Sequence, residues 1–421
     1  MKIAILGYGI EGKSAERFFR KLGNPVSKLK IEILDVKLQG KNYLKNLEKF
    51  DLIVRSPGVP YLLPEIQKAK RAGVIITSAT KLFFQHAKGL LIGITGTKGK
   101  GTVATLLYKI LKASHLAAKP PSEKSIHLIG NMGIPMLDEL PKLKKNSISV
   151  LELSSFQLQD MDISPHIAVV LDISPDHLNH HKSFKEYLDA KAQIVRNSLP
   201  KAAVFYFPDN KFSTQIARKS HGEKYAVSAD KNNLFLRGDL KTAGYHNIKN
   251  ASMAAAVARS LGVRDEVIKK VARNFKGLPH RLEFVHEVRG VKFYNDSAST
   301  NPAATVAALS AFDVQKILIA GGASKGLSYG PIKMAVQKTN TKPVILYGEN
   351  KKEIGLACGS TAEGQTFEVI YVDDLKSAVK RAFIEAKKGD IVVFSPASAS
   401  FDMFNGYGER GDAFKKIVKT L

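Results

Sequence analysis

A single cysteine, Cys358, stands among 421 residues, so no intrachain disulfide can form, and no spacing of Cys with His resembles a zinc site. A reducing compartment, the cytoplasm, is the expected location. Long apolar runs are also missing. Nothing approaches the roughly 18 residues that span a bilayer, and the short run Ile3 to Leu6 meets Glu11 too soon for a signal peptide. That run reads as a first strand. There is no internal repeat and no low-complexity tract. Acidic residues are scarce, 38 against 64 basic ones, for a net charge of +26. Such a balance suits nucleic acid, an anionic membrane surface or a phosphorylated substrate. The lysines are scattered and no RNA- or DNA-binding motif accompanies them, so neither a nucleic-acid partner nor membrane insertion is expected.

The remaining composition, 44% hydrophobic and 24% charged, is that of a folded globular chain. Its length favours two or three domains. The opening KIAILGYGIEG (Lys2 to Gly12) is an apolar strand running into Gly7, Gly9 and Gly12, with a helical pattern after it and Asp35 ending the next strand. This is a Rossmann-like start, although the glycine pattern alone does not specify a nicotinamide cofactor. Strands continue through DLIVRSPG and VIITS, and the first domain is expected to end at residue 87. A second strand, loop and helix begins at LLIGITGTKGKGT, followed by the short apolar strands ISVLEL and IAVVLDIS of a buried parallel sheet. The segment Lys119 to Lys124 reads as a surface spacer. A third series follows GLPHR through KILIAGG, VILYG and IVVFSPAS. Three α/β units are expected, with ligands at the carboxyl ends of their strands and an active site between domains.

GITGTKGKGT (Gly93 to Thr102) couples an apolar strand to a glycine-rich turn and a helix, where backbone N–H groups and the helix N-terminus can cradle phosphates. Lys100 is placed to reach the β and γ phosphates. A strict phosphate-loop pattern would have glycine at Ile94 and Ser or Thr at Gly101, so the generic motif fails at both. Glu152 sits at a strand's carboxyl end, where a carboxylate can hold Mg²⁺ against a nucleotide. His177 follows the next strand and Lys191 lies within a later helix; in so basic a chain most lysines are simply solvated. GYHNIKN, LPHR, NDSASTNP, GGASKG and SPASASFDMF each read individually as a turn or a helix cap. Together they place polar groups at successive element ends, which suits a polyanionic ligand.

In combination, TGTKGKGT, LELSSFQ, DHL with its downstream Lys, HN with its downstream Asn, LPHR, NDS with TN, and SPASASFDMF resemble the Mur ligases, in order and spacing, from Lys2 to the C-terminus. The resemblance implies an α/β protein of three domains: a Rossmann-like N-terminal domain for a UDP-linked substrate (1–87), a P-loop-type central ATPase domain (88–277) and a Rossmann-like C-terminal amino-acid domain (278–421). The SSFQ and SPASASFD wording favours the D-glutamate-adding branch. The implied substrates are UDP-N-acetylmuramoyl-L-alanine, D-glutamate and ATP, with two Mg²⁺ ions and a monomeric enzyme. Gly96, Thr97, Lys98, Gly99, Lys100, Gly101 and Thr102, with Asn247, Arg281 and Asp296, would bind ATP. Gly9, Ile10, Glu11, Asp35, Lys37, Asn131, Ser154 and Gln157 would face the UDP substrate. Thr300, Lys325, Ser400 and Tyr407 would receive D-glutamate. Glu152, His177 and Lys191, the last as a carbamate, would hold magnesium; carbamylation needs a neutral amine, so burial must first depress the pKa of Lys191.

Three departures fall on motif positions. Gly101 replaces a hydroxyl residue that ligates magnesium, and Thr102 points about 100° away around the helix axis. Lys98 stands where the family has Asn, and Ala298 where it has Lys. An active enzyme with a weakened magnesium grip is expected. The competing readings are a Mur-type ligase for another amino acid, a basic nucleic-acid-binding protein and a Rossmann oxidoreductase.

Overall fold

The computed structural model describes residues 1–22, 29–117, 124–130, 134–177, 180–230, 234–236, 239–242, 244–324, 326–358 and 368–421. Runs rich in Ile, Val and Leu form three sheets in chain order. The first contains β1 (Lys2–Leu6), β2 (Lys30–Leu34), β3 (Leu52–Arg55) and β4 (Ile75–Ser78), all parallel, in the order β2-β1-β3-β4. The second contains β5 (Leu90–Thr95), β6 (Ile126–Gly130), β7 (Ile148–Glu152), β8 (Ile167–Val170), β9 (Ala203–Tyr206) and β10 (Glu223–Ala226). Its order is β10-β9-β8-β5-β7-β6, again all parallel. The third contains β11 (Glu283–Val288), β12 (Val291–Asn295), β13 (Lys316–Gly321), β14 (Thr341–Tyr347), β15 (Val369–Tyr371) and β16 (Ile391–Phe394), in the order β11-β12-β16-β13-β14-β15. Only β11 runs antiparallel, through its pairing with β12. Central strands such as β7, β8, β13 and β16 are buried throughout, as a parallel sheet covered on both faces requires. The edge strand β10 is exposed throughout.

Close contacts group the chain into two compact units. One comprises 1–235 with 249–272 and holds the first two sheets; the other comprises 236–248 with 273–421 and holds the third. In the first unit one apolar core is continuous from Ile3, Phe19, Val54 and Phe83 around the first sheet to Leu137, Leu151, Val170 and Ile194 around the second. Ala4, Ile53, Ile66 and Ile76 fill the opposite face of the first sheet. In the second unit the two faces of the sheet are packed by Phe293, Ile319, Phe394 and Phe414 and by Leu318, Ile332, Leu346 and Ile354. Among the described residues no helix is long and apolar enough to cross a membrane.

Candidate active site

In the first unit β5 ends at Thr95 and the helix Lys100–Ala117 begins after four intervening residues, so the glycine-rich turn between them presents its backbone at a helix N-terminus. Gly99 sits in the left-handed region at φ +84, and a Cβ there would lie 2.5 Å from the Asn250 Oδ1, so no other residue fits this turn without displacement. Lys98 projects into solvent, whereas Gly101 is buried. The Lys100 ammonium donates to the carbonyls of Gly96 (3.1 Å) and Thr97 (3.2 Å).

Lys191, on the helix Phe184–Arg196, is 1% exposed, and its amine donates to the same Gly96 carbonyl at 2.8 Å. Two lysines 91 positions apart in sequence thus converge on one oxygen of the loop. Burial, reinforced by the Lys100 charge, holds the Lys191 pKa well below the ordinary lysine range, against the opposing pull of Asp176 and Glu152. Burial at this position therefore favours the neutral form of the amine. Glu152 is the last residue of β7 and 9% exposed. His177 takes a left-handed φ of +54, with its ring edge-on to Phe156 at 5.1 Å. Burial first, then the Lys100 and Lys191 charges, lower its pKa although Asp176 raises it, so the imidazole is neutral and able to coordinate. Glu152 and His177 both lie within electrostatic reach of Lys191; the Glu152 carboxylate is an oxygen donor of the kind magnesium takes, and the Lys191 amine would supply oxygens only as a carbamate.

Sequence reading missed Tyr187. It lies four residues before Lys191 on the same helix face, with its hydroxyl 2.9 Å from the Thr97 Oγ1 and its ring 4.7 Å from the Lys191 amine. The i, i+4 spacing was the available signal. His181 was also missed: it is 1% exposed, stacks on Phe156, and hydrogen-bonds with Ser155 and Glu186.

The other expected residues of this unit have definite structural partners. Asp35 lies one residue beyond β2 instead of ending it, and caps the helix Val36–Gln39. Its carboxylate accepts from the backbone N–H of Tyr8 (2.6 Å) and of Lys37 (2.8 Å), which holds its pKa below the usual carboxylate range. Gly9, Ile10 and Glu11 lie at the start of the helix Ile10–Leu22, with Ile10 59% exposed. Burial, with Asp138 adding like charge, pushes the Glu11 carboxyl up to about 7. Ser154 and Gln157 form a reciprocal capping box on the helix Ser155–Leu158. Asn131 and Lys325 lie outside the described residues.

In the second unit Asp296 follows β12 and is 6% exposed. It accepts from the hydroxyls of Ser299 and Ser395 and from the Leu282 N–H (3.1 Å), while burial pushes its carboxyl up to about 6. Arg281 is exposed, near enough to Asp296 to oppose that rise. Asn247 lies in the first turn of the helix Tyr245–Ser260. Thr300 is half-buried, Ser400 buried and Tyr407 48% exposed. Arg410, fully buried and also missed from sequence, donates to the carbonyls of Ser297 (3.0 Å), Ser398 (3.0 Å) and Ala399 (2.8 Å). It ties the loop after β12 to the loop after β16, and with them the segments that carry Asp296, Thr300 and Ser400.

Fold and site define a three-sheet α/β protein with a glycine-rich strand-to-helix loop beside a buried lysine. The description "Mur ligase middle domain" matches residues 94–242, and "Mur ligase, glutamate ligase domain" matches residues 280–398. The chain is similar to the UDP-N-acetylmuramoylalanine--D-glutamate ligase of Acetivibrio thermocellus, 36% identical over all of this chain and 96% of that protein. The protein of the same name from Clostridium botulinum is 34% identical over all of this chain and 97% of its own length. Among solved structures, MurF ligase from Thermotoga maritima in complex with ADP superposes with a TM-score of 0.58 at 18% identity, covering 99% of this chain and 95% of that one. The UDP-N-acetylmuramate-alanine ligase MurC from the same organism gives 0.56 at 19% identity, covering 100% and 99%. The chain belongs to the Mur ligase family.

Proposed function

We propose that this chain is an ATP-dependent ligase that joins the amine of D-glutamate to the carboxylate of UDP-N-acetylmuramoyl-L-alanine, in the cytoplasm and as a monomer, during synthesis of peptidoglycan precursors. The observation that carries the reading is the convergence of Lys100 and Lys191 on the Gly96 carbonyl, within electrostatic reach of the Glu152 carboxylate. Kinship to D-glutamate ligases along the full length supports the choice of amino acid. In this reading residues 1–87 take the UDP substrate, 88–277 take ATP and 278–421 take D-glutamate.

The γ-phosphoryl group passes from ATP to the substrate carboxylate, leaving ADP and an acyl phosphate. The D-glutamate amine then attacks the acyl carbon, and the tetrahedral intermediate expels phosphate to leave the amide. Lys100 and the N–H groups of Gly96 to Thr102 hold the phosphates and spread their charge, the main demand of phosphoryl transfer. Asn247, Arg281 and Asp296 seat the nucleotide. Gly9, Ile10, Glu11, Asp35, Lys37, Asn131, Ser154 and Gln157 orient the UDP substrate, and Thr300, Lys325, Ser400 and Tyr407 orient D-glutamate. Glu152, His177 and Lys191 as its carbamate would hold magnesium, in two ions, which supplies neutralisation of phosphoryl charge.

The test is phosphate release from ATP with UDP-N-acetylmuramoyl-L-alanine, with and without D-glutamate, followed by mass analysis of the nucleotide product. Release that depends on D-glutamate, with a product heavier by one glutamyl residue, is expected. Release with another amino acid alone moves the specificity, and none under any condition overturns the reading.

A further inference from the structure

Arg55, the last residue of β3, is 0% exposed, and the Asp160 side chain it meets at 2.9 Å is 1% exposed. The guanidinium serves two stretches of chain at once. One nitrogen donates to the carbonyls of Val59 (2.7 Å) and Ser56 (3.3 Å) in its own turn. The other donates to the Phe156 carbonyl and to Asp160, each at 2.9 Å, which lie 101 and 105 positions further along the chain. Ser78, at the end of β4, also donates to Asp160. The carboxyl end of the first sheet is thereby fixed to the segment Ser154 to Asp160.

That segment begins two residues after Glu152 and carries the Ser154–Gln157 capping box. Its Phe156 ring contacts His177 and His180 edge-on at 5.1 Å each and stacks on His181 at 5.3 Å. A second line of contacts leads from Gln159 to Glu186 (3.0 Å) and from Glu186 to His181 (3.2 Å). Buried ion pairs contribute little net stability, because desolvation offsets their attraction, and an apolar replacement of similar volume is often as stable. Here the Arg55 Nε and the Asp160 Oδ2 have no hydrogen-bond partner among the described residues, which adds to the cost. What the pair supplies is placement: a planar fork can span these acceptors, whereas a lysine ammonium is a point charge on a flexible stem.

We propose that the Arg55–Asp160 pair is a positioning device for the UDP-linked substrate. It holds Ser154 and Gln157 in one geometry relative to the first sheet. The proposal rests on the reading that this sheet receives the UDP end. In the full-length chain, the double variant Arg55→Met with Asp160→Leu keeps or raises the melting temperature. Its KM for UDP-N-acetylmuramoyl-L-alanine rises about tenfold while its KM for ATP stays within about twofold. Arg55→Lys retains the charge and shifts KM in the same direction. Asp162→Asn, which removes the more exposed pair with Lys81, leaves both constants unchanged. A double variant of undiminished stability with unchanged KM values overturns the proposal. Hydrogen exchange of the free protein gives a separate reading: residues 153–160 exchange faster in the double variant and in Arg55→Lys, and unchanged protection there overturns the proposal as well. If the wild-type chain shows no D-glutamate-dependent turnover, the functional reading fails while the exchange result still decides the role of the pair.

Discussion

Lys191 is under two opposed demands. A charged amine at 1% exposure is expensive, and removing the charge is what makes the nitrogen nucleophilic toward carbon dioxide. Because its folded-state pKa is depressed, the folded chain binds this proton less tightly than the unfolded chain does. The penalty is therefore fully present below the folded pKa and fades as pH rises toward the unfolded lysine value of about 10.4. In buffer free of carbon dioxide, Lys191→Met is expected to raise the melting temperature at pH 7, with the gain disappearing near about pH 10, and to reduce turnover by about a hundredfold or more. Calorimetry across pH checks the first outcome, and a gain independent of pH would remove the electrostatic explanation. Glu11 titrates in the opposite sense. Its Oε2 is buried without a hydrogen-bond partner among the described residues, and Asp138, already held by Ser14 and Arg17, adds like charge. Its carboxyl, raised to about 7, is neutral below that pH and ionised above it. On the reading that this turn faces a diphosphate, KM for the UDP substrate should rise about threefold or more between pH 6 and pH 8, and Glu11→Gln should flatten the profile. A rise that persists in the variant would assign the titration to another group.

The central strands were legible because parallel strands buried on both faces are written as continuous apolar runs, as in IAVV of β8 and IVVF of β16, whereas β6, β9, β11, β12, β15 and the exposed edge strand β10 went unread. Strand ends were legible only in part: Glu152 does end β7, but Asp35 lies one residue beyond β2, and the run IAVVLDIS overshoots β8, which stops at Val170. Contacts made by long-range packing left no local trace. Nothing near Arg55 signals Asp160, and nothing near Arg410 signals the carbonyls of Ser297 to Ala399; in a chain with 64 basic residues a buried arginine reads like any other. Side-chain use was also hidden, as with Asp35, whose carboxylate is engaged by two backbone N–H groups of its own sheet edge. Glycines at strand ends give a sharper test of the element itself. Gly321 ends β13 at φ +126, and a Cβ there would lie 1.8 Å from the Tyr347 carbonyl oxygen of the neighbouring β14. Backbone cannot yield as a side chain does, so Gly321→Ala should cost about 3 kcal/mol or more. The third sheet should therefore unfold at a visibly lower denaturant concentration while the first unit keeps its own transition. A variant with an unchanged transition would show that the β13–β14 pairing tolerates displacement.

At the scale of the molecule the net charge of +26 was plain from the sequence, but its purpose was not. Net charge alone suited nucleic acid as well; the scatter of the lysines and the absence of a nucleic-acid-binding motif argued against it, and the glycine-rich loop with its converging lysines adds weight to small polyanions. The proposed substrates support a graded prediction. UDP-N-acetylmuramoyl-L-alanine carries a diphosphate and a carboxylate, whereas D-glutamate carries one net negative charge. A field summed over many scattered lysines attracts the first far more strongly than the second, and is screened over about 10 Å at 0.1 M salt. Raising potassium chloride from about 20 to about 200 mM, with ATP and magnesium saturating, should lower kcat/KM for the UDP substrate about threefold or more. The same change should leave kcat/KM for D-glutamate nearly constant, and kcat itself should not move, since steering acts before the chemical step. Equal sensitivity for the two substrates would point to a general salt effect on the fold. No sensitivity for either would mean that the basic surface contributes nothing to encounter, and that the excess of lysine reflects composition alone.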